Sequence, residues 1–330
     1  MNDGMLKNIV ELIKNNQNFV LTSHVNPDGD SIGSEIALYY YLKNLQKNAN
    51  IINYSSTPEN YLFLDKLRII EKFDENKHKD VLLNSDVIFI LDTNEYKRLK
   101  NMEKFVASSH AKKICIDHHL GLNKNGFDLY ATDEGSPATG EILYKLFNYI
   151  GSNSINSDIA TALYTAIMTD TGSFRFPRTS PETHTITAKL IEKGADPVEI
   201  YSQVYGRSSV GRVRLLSRFL DVIHLEYNNK LIYSVITLKD FSETGTNEYD
   251  SDGFSHFLMN LESSQISVIF TEAKTGIKLS FRSKGDIYVN ELAKEFGGGG
   301  HKNAAGAWIT GYKMPVLINE VITKAKKYIK

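Results

Sequence analysis

The stretch TSHVNPDGDSIGS, Thr22 to Ser34, places His24, Asp28 and Asp30 on one short segment directly after the apolar run FVL. Asp, Asn, Pro and Gly are turn residues, and Asp30 or Ser31 could cap a following helix, so a polar capping turn is the plain alternative to a ligand cluster. Recurrence decides between the two. Asp92 follows the apolar run VIFIL, and Asp117, His118 and His119 follow ICI. Asp170 closes the helical stretch ATALYTAIMT within MTDTGSFRF. Carboxylates with a minority of imidazole suit Mn2+, Mg2+ or Fe2+ better than a thiolate zinc site does. The acids suffice for two ions sharing one carboxylate, and such a pair activates a water and stabilises both oxygens of a phosphoryl displacement. Other metal patterns fail. An EF-hand loop begun at Asp28 would put Ile32 and Tyr39 at ligand positions, and no H-E-x-x-H occurs.

A second chemical stretch is FGGGGHKNAAG, Phe296 to Gly306. It is neither a Walker loop nor G-x-G-x-x-G. Backbone amides of the four glycines, Gly297 to Gly300, could approach an anion closely, with His301 and a helix N-terminus adding positive potential. A flexible hinge is the alternative for bare glycines. Arg282 in LSFRSKG supplies a planar guanidinium fork suited to phosphate and favours the anion reading.

These groups need elements to position them. NFVLTSH, DVIFILDTN and KKICIDHH read as strands, and each ends in an acid-bearing or histidine-bearing turn. SIGSEIALYYYLKNLQ, PATGEILYKLFNYIG and NSDIATALYTAIMTD have helical spacing. In SPETHTITAKLIEKGAD, Ser180 is placed as N-cap, Pro181 at the first helical position and Gly194 past the end. Strands alternating with helices predict a parallel α/β sheet, whose strand carboxyl ends face one ligand crevice. From about Leu231 the texture changes to KLIYSVITL, QISVIFTEA and GIKLSFRS, expected to be antiparallel strands of a smaller α+β domain. The expected organisation is a parallel-sheet N-terminal domain over 1–200, a helical linker over 201–226 and an α+β domain over 227–330.

The 330 residues carry 38 basic and 39 acidic side chains, a net charge of -1. A protein that tracks long nucleic acids needs a broad basic surface, so the expected anionic substrate is small. Arg207, Arg212, Arg214 and Arg218 read as a solvated helix face. For Arg98 and Arg175, phosphate contact and loop anchoring both stay open, and His184 reads as a helix residue packing near the crevice. Trp308, in a predicted strand, is expected in the core. No apolar run approaches the roughly 18 residues of a membrane span, and the N-terminus lacks a signal-peptide pattern. The single Cys115 sits in KICID and reads as a buried strand thiol. These features lead to an expectation of a cytoplasmic protein without membrane contact.

In order, HVNPDGDSIGS, the Asp of LDTN, DHH and TDTGSFRF resemble the four motifs of the DHH phosphoesterase superfamily. GGGGHKNAAG with SFRS resembles the substrate-binding domain of its DHHA1 subgroup, and the likeness spans about residues 5 to 325. Length and domain content resemble the branch of bacterial oligoribonucleases that degrade nanoRNA and dephosphorylate 3′-phosphoadenosine 5′-phosphate (pAp). The resemblance implies two divalent ions, Mn2+ or Mg2+. One would be held by His24, Asp28 and Asp92, the other by Asp30, Asp92, His118 and Asp170, with Asp92 bridging. It implies that Asp117 orients its neighbours, that His119 faces the scissile phosphate, and that Arg282, Gly299, Gly300 and His301 grip a terminal phosphate. Short RNA and the adenosine bisphosphate are the implied substrates, and a homodimer is compatible with this. A phosphodiesterase for cyclic di-AMP or pApA is the alternative enzyme. A nucleotide-binding regulator with a dead site is the alternative of another class, and the intact ligand set argues against it.

Overall fold

The computed structural model describes residues 3–119, 121, 126–151 and 154–330. The chain divides into two compact units, Met1–Arg207 and Ser208–Lys330. The first runs α1 (Asp3–Asn15), β1 (Asn18–Thr22), α2 (Gly29–Asn44), β2 (Asn48–Asn53), β3 (Ile70–Lys72), α3 (Glu75–Asn84), β4 (Val87–Leu91), α4 (Glu103–Ser108), β5 (Lys112–Asp117), β6 (Leu129–Thr132), α5 (Thr139–Ile150), α6 (Ser157–Asp170), α7 (Pro181–Glu192) and α8 (Pro197–Tyr205). Its six strands form a parallel sheet in the order β3-β2-β1-β4-β5-β6. The order reverses between β1 and β4, and open α/β sheets bind ligands beyond the strand ends at such a switch point.

Burial on both faces explains why β4 is apolar throughout. Val87, Phe89 and Leu91 enter the core layer shared with Ile32 and Ile36 of α2 and Leu163 of α6. Ile88 and Ile90 enter the opposite layer with Leu82 of α3, Val106 of α4 and Cys115 of β5. Cys115 is fully buried, and burial with the nearby Asp117 and Asp92 charges pushes its thiol up. Helices α2 and α6 approach closely because Gly33 is bare: a Cβ there would lie 2.4 Å from the Ala162 carbonyl oxygen. That crossing sets Asp30 beside Asp170. Helix α7 starts as its sequence predicts, with Ser180 and Thr183 forming a capping box and Pro181 first in the helix.

The second unit contains α9 (Val210–Asp221), β7 (His224–Glu226), β8 (Leu231–Ile236), α10 (Leu238–Thr244), α11 (Ser255–Met259), β9 (Ile266–Ala273), β10 (Gly276–Ser283), α12 (Val289–Lys294), β11 (Gly299–His301), β12 (Ala304–Ile309) and α13 (Met314–Ala325). The strand order is β11-β12-β10-β9-β8-β7. The sheet is mixed: β8 and β9 pair in parallel, correcting the expected antiparallel set. Residues 237–265, which include α10 and α11, give the chain enough length to cross over and return in the same direction. The arginine-rich α9 packs into this unit through Leu215 and Phe219, against Ile232, Ile236, Phe241 and Phe254. Its arginines are largely engaged. Arg218 pairs with Glu243 and Asp240, and Arg212 donates to the carbonyls of Asp250 and Asp252.

Two further expectations change here. Trp308 is 48% exposed rather than buried. No helix begins at the glycine run; Gly299–His301 forms the edge strand β11, paired with β12. Residues 302–303 turn the chain straight into β12, so the expected helix dipole is missing. No helix of the described residues is long and apolar enough to cross a membrane.

Candidate metal centre

The site is built at the carboxyl ends of β1, β4 and β5. Asp28 does cap α2, its Oδ1 accepting from the amides of Asp30 and Ser31 at 3.1 Å each. The capping and ligand readings of the first motif are therefore compatible. Asp28 Oδ2 is turned the other way, 4.0 Å from His24 Nε2. Its side chain is 54% exposed, whereas Asp30, two residues further on, is fully buried.

Asp92 stands at the centre. Its backbone is left-handed, φ +58°, a conformation Asp and Asn tolerate better than other side chains. This turn lifts the carboxylate off the end of β4. Oδ2 accepts from Ser31 Oγ at 2.7 Å and lies 3.3 Å from His24 Nε2. Oδ1 lies 3.6 Å from His118 Nε2 and 3.7 Å from His119 Nδ1. Burial would raise this carboxyl, but hydrogen bonds and charge from His118 and His24 outweigh that and hold it well below the usual range.

The surrounding acids are forced the other way. Asp30 is raised well above its ordinary value by burial and by the Asp92 charge, with His118 opposing. Its oxygens accept from the first amides of α5, Thr139 at 2.6 Å and Gly140 at 2.9 Å, so a helix N-terminus faces it. Asp170, by contrast, closes α6 at the negative end of that helix. Burial, with Asp28 and Asp92 adding to it and His118 opposing, pushes it to about 7. His118 is pulled down by burial, yet the hydrogen bond to Asp92 and the charges of Asp30 and Asp170 carry it to about 10.

The donor set fits divalent cations. Three buried or half-buried carboxylates repel one another, and a cation relieves that repulsion. Both histidines turn Nδ1 toward a carbonyl, His24 to Val25 at 2.8 Å and His118 to Ser136 at 3.3 Å. Each then presents Nε2 to the acids, the arrangement that orients a ligating imidazole. Among the described residues, the ligand atoms of His24, Asp28 and Asp92 lie within 4.8 Å of one another. Those of Asp30, His118 and Asp170 do likewise, as do those of Asp92, His118 and His119.

Asp117 is fully buried and accepts from His119 Nδ1 at 2.6 Å and from Asn94 Nδ2 at 2.8 Å. It is thus placed to fix the His119 ring. Arg175 anchors its own loop through the Gly172 carbonyl, and the Arg98 carbonyl accepts the Val25 amide. His184 is exposed on α7, its ring 5.4 Å from Phe174. Sequence reasoning missed Arg178, which donates to the His118 carbonyl at 3.1 Å and lies 3.2 Å from its Nδ1. Its only signal was proximity to MTDTGSFRF, three residues past Arg175.

In the second unit, Arg282 and His301 occupy positions both paired with Ala304, on the strands flanking β12. Arg282 is half-buried; burial lowers its guanidinium from the usual value, with Asp252 opposing. The His301 side chain lies outside the described part of the chain. Gly299 and Gly300 sit on the edge strand, one side of which has no strand partner among the described residues.

The DHH family, N-terminal domain, matches residues 18–167, and the DHHA1 domain matches residues 228–330. The chain is 31% identical to the bifunctional oligoribonuclease and PAP phosphatase NrnA of Thermus thermophilus, over 93% of this chain and 89% of that protein. It is 28% identical to the Bacillus subtilis protein of the same description, over 92% and 93%. The crystal structure of an exopolyphosphatase-related protein from Bacteroides fragilis superimposes with a TM-score of 0.95 at 29% identity, covering 99% of this chain and 97% of that one.

Proposed function

From the premise that this chain belongs to the DHH family and carries its DHHA1 domain, we propose that it is a divalent-metal-dependent phosphoesterase. It hydrolyses short oligoribonucleotides to mononucleotides and removes the 3′-phosphate of pAp, and it works in the cytoplasm. The observation that carries this reading is Asp92, with three histidine nitrogens within 3.7 Å of its two oxygens. His24, Asp28 and Asp92 would hold one ion, and Asp30, Asp92, His118 and Asp170 the other, with Mn2+ the favoured metal. Held there, two divalent ions would supply Lewis acidity to a phosphoryl oxygen and would lower the pKa of a water so that it can attack phosphorus at neutral pH.

The residues of the chain do the rest. Asp117 holds His119 by Nδ1, which leaves Nε2 as the nitrogen to serve the phosphate. As the water oxygen bonds to phosphorus and the P–O bond to the leaving group breaks, His119 delivers a proton to the departing oxygen. Arg178, beside His118, adds a positive charge near the phosphoryl group. Arg282, with Gly299, Gly300 and His301 on the edge strand, holds a second phosphate.

The test is incubation in Mn2+ with pAp, pApA, cyclic di-AMP, and 3-mer, 5-mer and 24-mer RNA, with products resolved over time. Hydrolysis of pAp and rapid shortening of the 3-mer and 5-mer one mononucleotide at a time are expected, all abolished by chelation. Near-neutral charge adds little affinity for further nucleotides, so the 24-mer should lag. Equal rates on 3-mer and 24-mer at limiting substrate would replace this reading with a processive exonuclease. Cleavage of cyclic di-AMP with none of pAp would replace it with a cyclic-dinucleotide phosphodiesterase.

A further inference from the structure

Trp308 is the only tryptophan in the chain, and it lies at the surface. On β12, Ala305, Ala307 and Ile309 enter the core, so Ala304, Gly306 and Trp308 take the opposite face. Pairing carries that face onto β10. Arg282 stands opposite Ala304, Ser280 opposite Gly306 and Lys278 opposite Trp308, while Ile277, Leu279 and Phe281 point into the core. The result is one surface with a guanidinium at one end and an indole beside an ammonium at the other. Four residues separate the ends, about 13 Å along the strands. Between them on these two strands stand Ser280, Ala304 and Gly306, while Ile269, opposite Ser280 on β9, is buried with Leu215 of α9 and Leu258 of α11.

The indole is seated rather than loose. A Cβ on Gly276 would lie 3.0 Å from Trp308 Nε1 and 3.2 Å from Cε2, so a bare residue at the start of β10 lets the ring settle against the sheet. The residue is nonetheless 48% exposed. Lys278 and Arg282 make the face cationic, and with Arg212 of α9 they act on the carboxylate of Asp252, where Glu248 adds a second negative charge. An exposed aromatic plane beside a cationic row is the combination that binds single-stranded nucleic acid without reading its sequence.

We propose that Trp308 stacks on a nucleobase of the oligoribonucleotide substrate, one that belongs to a neighbour of the nucleotide whose phosphate Arg282 holds. This rests on the function proposed above and adds to it a residue that separates oligomers from pAp. The backbone positions of Arg282 and Trp308 stand about 13 Å apart along the strands and the indole leans further away over Gly276, a longer span than one nucleotide offers from its phosphate to its own base. The single adenine of pAp therefore cannot lie on Trp308 while its phosphate lies on Arg282, whereas a trimer or pentamer can occupy both.

The test compares full-length wild type, W308A and W308F in Mn2+ on pAp and on pentaadenylate. The ratio of KM values, pentaadenylate over pAp, should rise about 5- to 150-fold in W308A, the fold-change expected for one lost base stack. W308F, which keeps a flat ring, should bring the ratio back toward wild type. A W308A ratio within twofold of wild type overturns the proposal, and general structural damage gives that result because it raises both values together. A second measurement needs no turnover. Phosphorothioate pentaadenylate should quench the emission of Trp308 in the wild-type protein, and equal concentrations of pAp should not. Absence of quenching overturns the assignment, as does a concentration-dependent self-association that W308A abolishes, which would give the face to a second copy of the chain. If the wild type hydrolyses neither substrate, the proposed function fails, while the quenching titration still decides Trp308.

Discussion

Glu35 offers a sharp test of how the first unit holds its site. It lies on α2, fully buried, five residues beyond Asp30. Its Oε2 accepts from Asn53 Nδ2 at 2.8 Å, and Asn53 Oδ1 in turn accepts the Ser23 amide at 3.1 Å. The carboxyl thus braces the end of β1 immediately before His24. Burial pushes it from 4.5 to about 7, with the hydrogen bond from Asn53 and the nearby Ser23 hydroxyl opposing. An acid raised on folding binds more protons folded than unfolded between those two values. Its stabilising contribution is therefore complete below about 4.5 and is lost as pH rises through 7. The interval from 4.5 to about 7, at about 1.36 kcal/mol per pH unit, amounts to ~3 kcal/mol. Glu35→Gln keeps an acceptor for Asn53 and cannot ionise. With chelator present, it should match wild type near pH 4.5 and exceed it at pH 8 by up to ~3 kcal/mol, or roughly 6–12 °C for a domain of about 200 residues. Melts followed by far-UV circular dichroism measure this. Trp308 emission reports the second unit alone and serves as the internal control. A difference between Glu35→Gln and wild type that is the same at both pH values would refute a buried, titrating Glu35.

Two other substitutions separate metal, chemistry and grip. Asp92→Asn preserves a residue tolerant of the left-handed backbone, so loss of function in it reports the ligand and not strain. It should lower kcat by ~10^2- to 10^4-fold, equivalent to several kcal/mol, and reduce bound Mn2+ measured by mass spectrometry. Near wild-type rates with full metal content would remove Asp92 from the centre of the mechanism. Arg282→Ala should raise KM for pAp and oligomers about 10- to 100-fold through lost charge-assisted hydrogen bonds. His119→Ala should instead lower kcat about 10^2- to 10^4-fold with a smaller change in KM. If the two variants show the same pattern, binding and chemistry have not been divided between the units as argued.

The fold of the first unit was legible because β1, β4 and β5 are apolar runs too short for helices and each stops at a polar turn. The same punctuation exposed the site: Asp28, Asp92 and Asp117 are conspicuous because they interrupt apolar strands or open helices. Sequence patterns failed where the deciding contact was distant. Nothing near Asp30 announces that the amides of Thr139 and Gly140, more than 100 residues away, will close on it. No neighbouring residue announces the left-handed backbone of Asp92, whose amide pairs with the distant Ile116 carbonyl, and Arg178 gains meaning only beside His118.

The second unit was harder to read for a related reason. Strand β12 reads AAGAWI, and with alanine or glycine at four of six positions its two faces differ too little for periodicity to tell core from surface. Trp308 was therefore assigned by residue type, and large aromatics favour the core. Pairing breaks the tie. Opposite β12, the strand GIKLSFRS alternates without ambiguity, so Lys278, Ser280 and Arg282 define the outer face, and the register places Trp308 on it. The side of the sheet that carries Arg282 is thus fixed by β10, and the exposed indole follows from that choice. An aromatic over a bare glycine stabilises a sheet in its own right, so the KM ratio of W308A on pentaadenylate and pAp, rather than its Tm, decides whether the exposed indole serves the substrate.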